Sequence, residues 1–455
     1  MAESTKLAHT LKTRHILMIA LGSAIGTGLF FSAGESITLA GPSILLSYTL
    51  GGLIMYIVIR ALGEMTVHEP NVGSFSYYAY KYIGPYAGFI SGWNYWFNYI
   101  IVSMLELTAT SMFLDYWFPA LPHWLVALVI LIIFASINFL NVKFFGEFEF
   151  WFAGIKVITI IALIGLGLYL IFTGQGINAN YSKVDNLWQY GGFFATGLHG
   201  FLLSFVIVIF SFGGTELVGI AAGEAENPQE TVPLAINGII IRIILFYLAT
   251  LAIILCLYPW NKISNTMSPF VDVFSKIGLT KAAAIMNLVA ITAALSSFNS
   301  GIYGTARMLY NLGKQQNAPY CLTKLNNRGI PYIATLFSLI FIFLTVILNY
   351  LYPKQIFNIL LAIATIAAMI NWLTILLAQI SFRKKINKQK IHYKMPGFPF
   401  SSLIAIGFFA VILLIMASMA SMRLAIYVLP IWLIILSSGY LIKLRLTNNL
   451  RNNYE

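Results

Sequence analysis

The chain is patterned as long apolar runs separated by short polar connections. A run of about 20 residues suffices for a helix to cross a hydrocarbon core ~30 Å thick. Twelve such runs occur, at approximately 16–39, 43–64, 86–113, 121–140, 150–173, 196–222, 233–258, 282–310, 332–351, 355–381, 400–420 and 424–443. A membrane strand needs only about 10 residues but must alternate between apolar and polar, and no such alternation is visible. The pattern predicts an all-α membrane protein with twelve transmembrane helices.

Two of the runs are interrupted. "LGSAIGTGLF", Leu21 to Phe30, holds Gly22, Gly26 and Gly28 inside a stretch with no charge. Each glycine weakens a helix by roughly 1 kcal/mol relative to alanine. "IFSFGGTELVGIAAGE", Ile209 to Glu224, holds Gly213 and Gly214 near the middle of the sixth run. The two runs are five apart, an odd number, so the second set of five starts on the opposite side of the membrane from the first. That is the pattern of an inverted repeat, runs one to five against six to ten, and paired interrupted helices of this kind point to a transporter's binding site. A broken helix frees N–H groups at one new end and C=O groups at the other. Within a membrane this is tolerated where a cavity or ligand satisfies them. The N-terminal end attracts an anion and the C-terminal end a cation, and an α-amino acid carries both charges. The competing reading, glycines that only allow close helix packing, explains one cluster better than two at matching positions.

Composition narrows the class. Only 9% of the 455 residues are charged and 59% are hydrophobic, whereas soluble domains carry about 25% charged residues. With the N-terminus placed inside, twenty of the 27 Lys and Arg fall on inner loops, tails and helix ends, six fall outside, and Lys156 lies within a run. This bias predicts cytoplasmic termini. The net charge of +12 then belongs to loops at an anionic lipid surface, with no nucleic-acid partner implied. "MAESTKLAHTLKTRH" reads as a cytoplasmic tail rather than a signal peptide. Cys256 and Cys321 suggest no disulfide framework, and six scattered histidines offer no metal site. Gly-x-Ser-x-Gly, His-Glu-x-x-His and a phosphate-binding Gly-x-x-x-x-Gly-Lys-Ser/Thr loop do not occur, which argues against an intramembrane enzyme and an ATP-driven pump. A channel is disfavoured because no short filter segment is seen. No cofactor is expected.

Several stretches carry a resemblance. "LKTRHILMIALGSAIGTGLF", "AGPSILLSY", "RALGEMTVHEPNVGSFSYYAYKYIGPYAGFISGWNYW", "NVKFFGEFEFWFAGIKV", "FSFGGTELVGIAAGEAENPQETVPLAIN" and "NSGIYGTARMLYNLGKQQNAP" occur in that order. Together they resemble bacterial amino acid permeases of the amino acid–polyamine–organocation superfamily, in particular the aromatic, proline, lysine and γ-aminobutyrate permeases. The resemblance implies a leucine-transporter-type fold. Residues 16–381 would form a ten-helix core, with repeats 16–173 and 196–381. Two additional helices would follow at 400–443, with cytoplasmic tails at 1–15 and 444–455. It also implies that the substrate carboxylate meets backbone N–H groups around Gly26, Thr27 and Gly28. The ammonium would meet carbonyls of Ile25, Phe210, Ser211 and Gly213.

Charges inside the runs extend the site. Glu106, in "VSMLELTAT", is an ionisable group in an apolar span, for which a functional or paired role is the default. It is expected to shape the pocket for the substrate side chain. Glu216 follows the second break and either steadies the unwound segment or moves protons. Lys156, in "FAGIKVITI", either snorkels to the nearby surface or is a buried ammonium that couples transport to protons. Sodium-independent relatives with a lysine in the matching position support the second reading. Arg60, Glu64, His68 and Glu69 form a charge cluster at an inner helix end, read as an inner gate or as a solvated loop. Glu224, Glu226 and Glu230 offer partners for Arg60 or Arg328. Trp93, Tyr95 and Trp96 line the pocket or sit in an interfacial belt, and His199 reads as interfacial.

The resulting expectation is a proton-coupled importer of a neutral, aromatic or proline-like α-amino acid in a bacterial cytoplasmic membrane. An exchanger and a cationic amino acid permease are the alternatives. The expected partners are the amino acid, protons and the lipid bilayer.

Overall fold

The computed structural model describes residues 26–71, 73–139, 142–174, 183–221, 227–265, 267–387 and 391–452. Ile25, Glu224 and Glu226 lie outside the described residues. The principal helices are α1 (Ala33–Ala40, entered through a wide turn over Gly28–Ser32), α2 (Ile44–His68), α3 (Pro85–Leu114), α4 (His123–Asn138), α5 (Val142–Thr173) and α6 (Gly197–Ser211). They continue with α7 (Pro228–Arg242, extended through Ile243–Ala249 and Thr250–Leu257), α8 (Thr280–Lys314), α9 (Tyr332–Leu351), α10 (Ile356–Lys385), α11 (Phe400–Ser418) and α12 (Arg423–Asn452). No strand occurs among the described residues.

The boundaries have local causes. Gly41, with φ +61°, ends α1, and Pro42 begins the turn into α2. Gly84, with φ +153°, precedes Pro85 at the start of α3. Pro at a first helical position loses no hydrogen bond, because that N–H has no partner within the helix. α10 ends on Arg383, Lys384 and Lys385, cations that favour the negative end of a helix.

Among the described residues, nine helical stretches are long and apolar enough to cross a membrane. One of them, Gly28–His68, contains the Gly41 turn, and α4 and α6 are shorter apolar helices. α5 starts at Val142, eight residues before the apolar run at 150. α12 runs to Asn452, beyond the run's end at 443. Glu, Lys and Arg are good helix formers, so both helices outlast their apolar stretches.

Packing follows a regular rule. α1 lies on α6, α2 on α7, α3 on α8 and α4 on α9. α10 packs against α2, α3 and α6, α5 lies against α8, and α12 lies outside α10 and α3. The periphery keeps large apolar side chains uncovered: Phe172 is 83% exposed, Leu414 72% and Ile434 64%. Exposed apolar surface on this scale marks contact with a membrane or a partner rather than water, and the chain is a multi-pass membrane protein.

Candidate substrate site

The two glycine clusters meet. An added Cβ on Gly28 would lie 2.5 Å from Ser211 Cα and 3.1 Å from Ser211 Oγ. Only a glycine lets the start of α1 approach the end of α6 this closely. At the first cluster, Leu29 and Phe30 N–H both donate to Gly26 O, at 3.2 and 3.3 Å. Thr27 and Gly28 precede these bonds, at the start of the described helix. At the second cluster, α6 stops at Ser211, Phe212–Glu216 form turns, and a short helix resumes at Leu217–Ala221. The conformational requirement falls on Gly214, whose φ is +94°. Gly213 faces a milder restriction, with Phe210 O 3.1 Å from its added Cβ.

Between the clusters lies a small cavity of about 40 Å³. Gly26, Gly28, Phe210, Ser211, Gly213, Glu106 and Glu216 all border it. With Gly214, which also borders it, eight of the residues singled out in the sequence are brought to one place. Tyr99, Val102, Leu217, Ala364 and Ala368 supply much of the remaining wall, and sequence reasoning missed them because nothing local distinguishes a cavity-facing Ala or Val from a packed one.

Some expected contacts are already engaged. Thr27 Oγ1 donates to Glu106 Oε1 at 3.1 Å, so a carboxylate of the protein itself sits beside the start of α1. Glu106 is buried, and its Oε2 makes no hydrogen bond among the described residues. The Ser211 carbonyl, expected to be free for an ammonium, accepts from Tyr247 Oη at 2.9 Å. The Phe210 carbonyl accepts from Gly213 N–H at 2.9 Å. Each carbonyl keeps a second lone pair. Glu216 is buried and accepts from Tyr99 Oη at 3.2 Å and Trp372 Nε1 at 3.3 Å. It ties the second break to α3 and α10.

Lys156 is completely buried, which removes the snorkelling reading. Its Nζ donates to Ser296 Oγ on α8 at 2.9 Å. Ser296 Oγ donates to Glu149 Oε2 at 2.7 Å, and Asn299 Nδ2 donates to Glu149 Oε1 at 3.3 Å. Glu149 is also completely buried and was overlooked because it lies one residue outside the apolar run. Its spacing of seven from Lys156 was the available signal, since residues two turns apart share a helix face.

The charge cluster at the end of α2 divides. Glu64 pairs with Arg383 Nε of α10 and accepts from Gln379 Nε2 and Met395 N–H, both at 3.0 Å. Arg60 donates to Lys394 O at 2.9 Å and Asn237 Oδ1 at 3.3 Å, with its guanidinium over the Tyr393 ring. Both residues thus hold the connection between α10 and α11. Glu69 pairs with Lys81, at 2.6 Å through Oε1, and accepts from Tyr77 Oη at 2.7 Å. His68 packs on Phe382. Partial burial pushes the Glu69 carboxyl up, but the bonds from Lys81 and Tyr77 and the Lys81 charge outweigh it and leave it below its usual range. Tyr95 is buried against Tyr99, while Trp93 and Trp96 bond to Asn317 O and Ser338 Oγ, away from the cavity. His199 is exposed. No group of three metal-ligating side chains occurs among the described residues.

Among the described residues, a bundle of long apolar helices holds a polar-and-apolar cavity where the break after α6 meets the first glycine cluster, an arrangement compatible with a membrane transport protein. The profile of the family described as "Amino acid permease" matches residues 15–450, and the chain belongs to that family. It is 45% identical over 440 residues to the "Aromatic amino acid transport protein AroP" of Escherichia coli (strain K12), covering 96% of each chain. The protein of that name from Salmonella typhimurium (strain LT2) is also 45% identical over the same length. The "Uncharacterized amino acid permease YtnA" of Bacillus subtilis (strain 168) is 44% identical over 441 residues, 96% of this chain and 95% of the relative.

Proposed function

We propose that this permease imports an aromatic α-amino acid together with protons, by alternating access, across a bacterial cytoplasmic membrane. The observation that carries the reading is the contact of Gly28 with Ser211 at the rim of one cavity. A substrate carboxylate would bind at the N–H groups of Gly26, Thr27 and Gly28, and its ammonium at the remaining lone pairs of Phe210, Ser211 and Gly213. The side chain would lie against Val102, Leu217, Ala364 and Ala368, whose apolar surfaces suit a ring. The names of the AroP relatives support the aromatic class within the broader set of neutral amino acids and proline. The completely buried Lys156 supports proton coupling, because a buried lysine changes its protonation readily.

Twelve spans in a 5+5 inverted repeat plus two fit the helix order. The Gly41 turn divides the 41-residue stretch, α4 and α6 add two shorter helices, and each of α1 to α4 packs on the helix five places later. The ten-helix core would run over 16–381 and the additional pair over 400–443. Both tails would lie in the cytoplasm, on the side favoured by Lys and Arg.

The test is uptake into proteoliposomes with twenty competing amino acids, with an imposed pH gradient, and with sodium replaced by potassium. Phe, Tyr and Trp should compete best, uptake should rise with external acidity, and sodium should not matter. Preferential competition by Lys and Arg would assign Glu106 to a cationic substrate instead. A strict sodium requirement would remove the proton mechanism, and exchange indifferent to the pH gradient would make the protein an exchanger.

A further inference from the structure

The buried polar chain beside the cavity has a direction. Lys156 Nζ donates to Ser296 Oγ, and Ser296 Oγ donates in turn to Glu149 Oε2. Donor follows donor from the lysine to the carboxylate, with all three side chains fully buried. Asn299 holds the other carboxylate oxygen and is itself bonded to Asn138 of α4. Among the described residues, the titratable groups that act on Lys156 include Glu149, on its own helix, and Glu106 of α3, at the cavity. Glu106 accepts from Thr27 at the first glycine cluster. Lys156 therefore interacts with a carboxylate at the cavity and, through Ser296, with a second carboxylate further along α5. Seven residues separate Glu149 from Lys156, about 10 Å along the helix, toward the Val142 end that the proposed topology places at the cytoplasm.

A structural ion pair needs neither a bridging hydroxyl nor an aligned donor chain. Buried pairs contribute little net stability, and a well-packed apolar substitute often does as well. The bridge is what a proton transfer needs.

We propose that Glu149 is the proton acceptor on the cytoplasmic side of Lys156, with Ser296 as the relay between them. This rests on the reading of Lys156 as the coupling group. In the step, the Lys156 ammonium gives a proton to Ser296 Oγ while the Ser296 hydroxyl proton passes to Glu149 Oε2. The ammonium becomes an amine, the carboxylate becomes a carboxylic acid, and the serine is regenerated. The total charge of the triad is unchanged, so no net charge is created in the apolar interior during the transfer. Glu149 then releases its proton toward the nearer end of α5.

The experiment uses the full-length protein in proteoliposomes and compares phenylalanine accumulation driven by an imposed pH gradient with phenylalanine–phenylalanine exchange at equal pH. Glu149→Gln keeps the shape and the bond from Ser296 but cannot take up the proton. It should retain exchange within a factor of about two of wild type and lose gradient-driven accumulation at least tenfold. Glu149→Asp should restore part of it, which a purely structural role for the carboxamide-sized side chain does not predict. If Glu149→Gln fails to exchange, Ser296→Ala carries the test, because it removes the relay and leaves both titratable groups. Gradient-driven uptake should then slow at least tenfold with exchange intact. Wild-type accumulation in either exchange-competent variant overturns the relay. A wild-type protein that ignores the pH gradient, or a Lys156→Ala variant that still accumulates substrate, would instead defeat the underlying coupling reading.

Discussion

At the level of single residues, the most constrained position is Gly28. Its Cβ would overlap a backbone atom of Ser211 rather than a movable side chain, so Gly28→Ala must push the two glycine clusters apart. Displacement of a binding group by about 1 Å can lower activity roughly a hundredfold, and a loss of that order in substrate affinity is expected. Gly154, on the outer face of α5, provides the control. Nothing lies within 4 Å of its added Cβ, and Gly154→Ala should leave binding unchanged while adding up to ~1 kcal/mol of helix stability. Binding isotherms on both purified variants check the pair, and normal affinity in Gly28→Ala would detach the site from the breaks. The glycine clusters were readable in the sequence because their chemistry is local: a run that must be helical contains residues that weaken helices. The division of labour between Gly213 and Gly214 was not, since φ at each depends on how the turn closes. Glu149 was hidden for a different reason. A carboxylate at the edge of an apolar run looks solvated until Ser296 and Asn299, some 150 residues away, are known to cover it.

At the level of elements, α2 is fastened to the α10–α11 connection by two adjacent turns of side chains. Glu64 and Arg383 form a buried ion pair, and removing one member of such a pair leaves an uncompensated buried charge, at about 3–5 kcal/mol. Glu64→Ala should therefore lower the melting temperature of the detergent-solubilised protein much more than Arg60→Ala, whose partners are half-exposed backbone, amide and ring groups. Equal, small shifts would show that the connection is held by other contacts. The sequence marked this cluster but not its partners, because Arg383 lies 319 positions from Glu64 and hydropathy carries no pairing information. The neighbouring Glu69–Lys81 pair has a calculable pH dependence. The Glu69 carboxyl sits below its ordinary value when folded, so its stabilisation is present above the unfolded pKa and disappears as pH falls through the folded one. Both side chains are about one-third exposed or more, and solvent screening holds the effect to ~1 kcal/mol or less. Glu69→Gln should melt slightly below wild type at pH 7, with the difference closing in acid below the usual carboxylate range. A gap that widened on acidification would contradict the assignment.

At the level of the whole molecule, the proposed proton coupling requires a group whose protonation alters how the helices around the cavity sit against one another. Lys156 is the proposed group: it lies on α5, tied through Ser296 to α8, which packs in turn along α3, the helix that carries Glu106 to Thr27. Deprotonation would weaken the donor from α5 to α8 and remove a positive charge that acts on Glu106, which borders the cavity. The proposed substrate contacts are backbone groups of Gly26–Gly28 and of the end of α6, so Lys156→Ala should keep equilibrium binding of phenylalanine near its wild-type value. Accumulation driven by a pH gradient should be lost. Lys156→Arg discriminates between a charge that only holds helices together and one that must come and go. Arginine keeps the positive charge and more hydrogen-bond donors, but it does not give up its proton in a protein. A purely structural cation would tolerate that exchange once the larger group is accommodated, and uptake would continue. A coupling lysine would not, and the arginine variant should bind substrate yet behave as if permanently protonated, with transport no longer responsive to the gradient. Proteoliposome uptake of the three proteins, at matched protein content and with binding measured on the same preparations, separates the two. Wild-type accumulation by the arginine variant would reduce Lys156 to a structural cation.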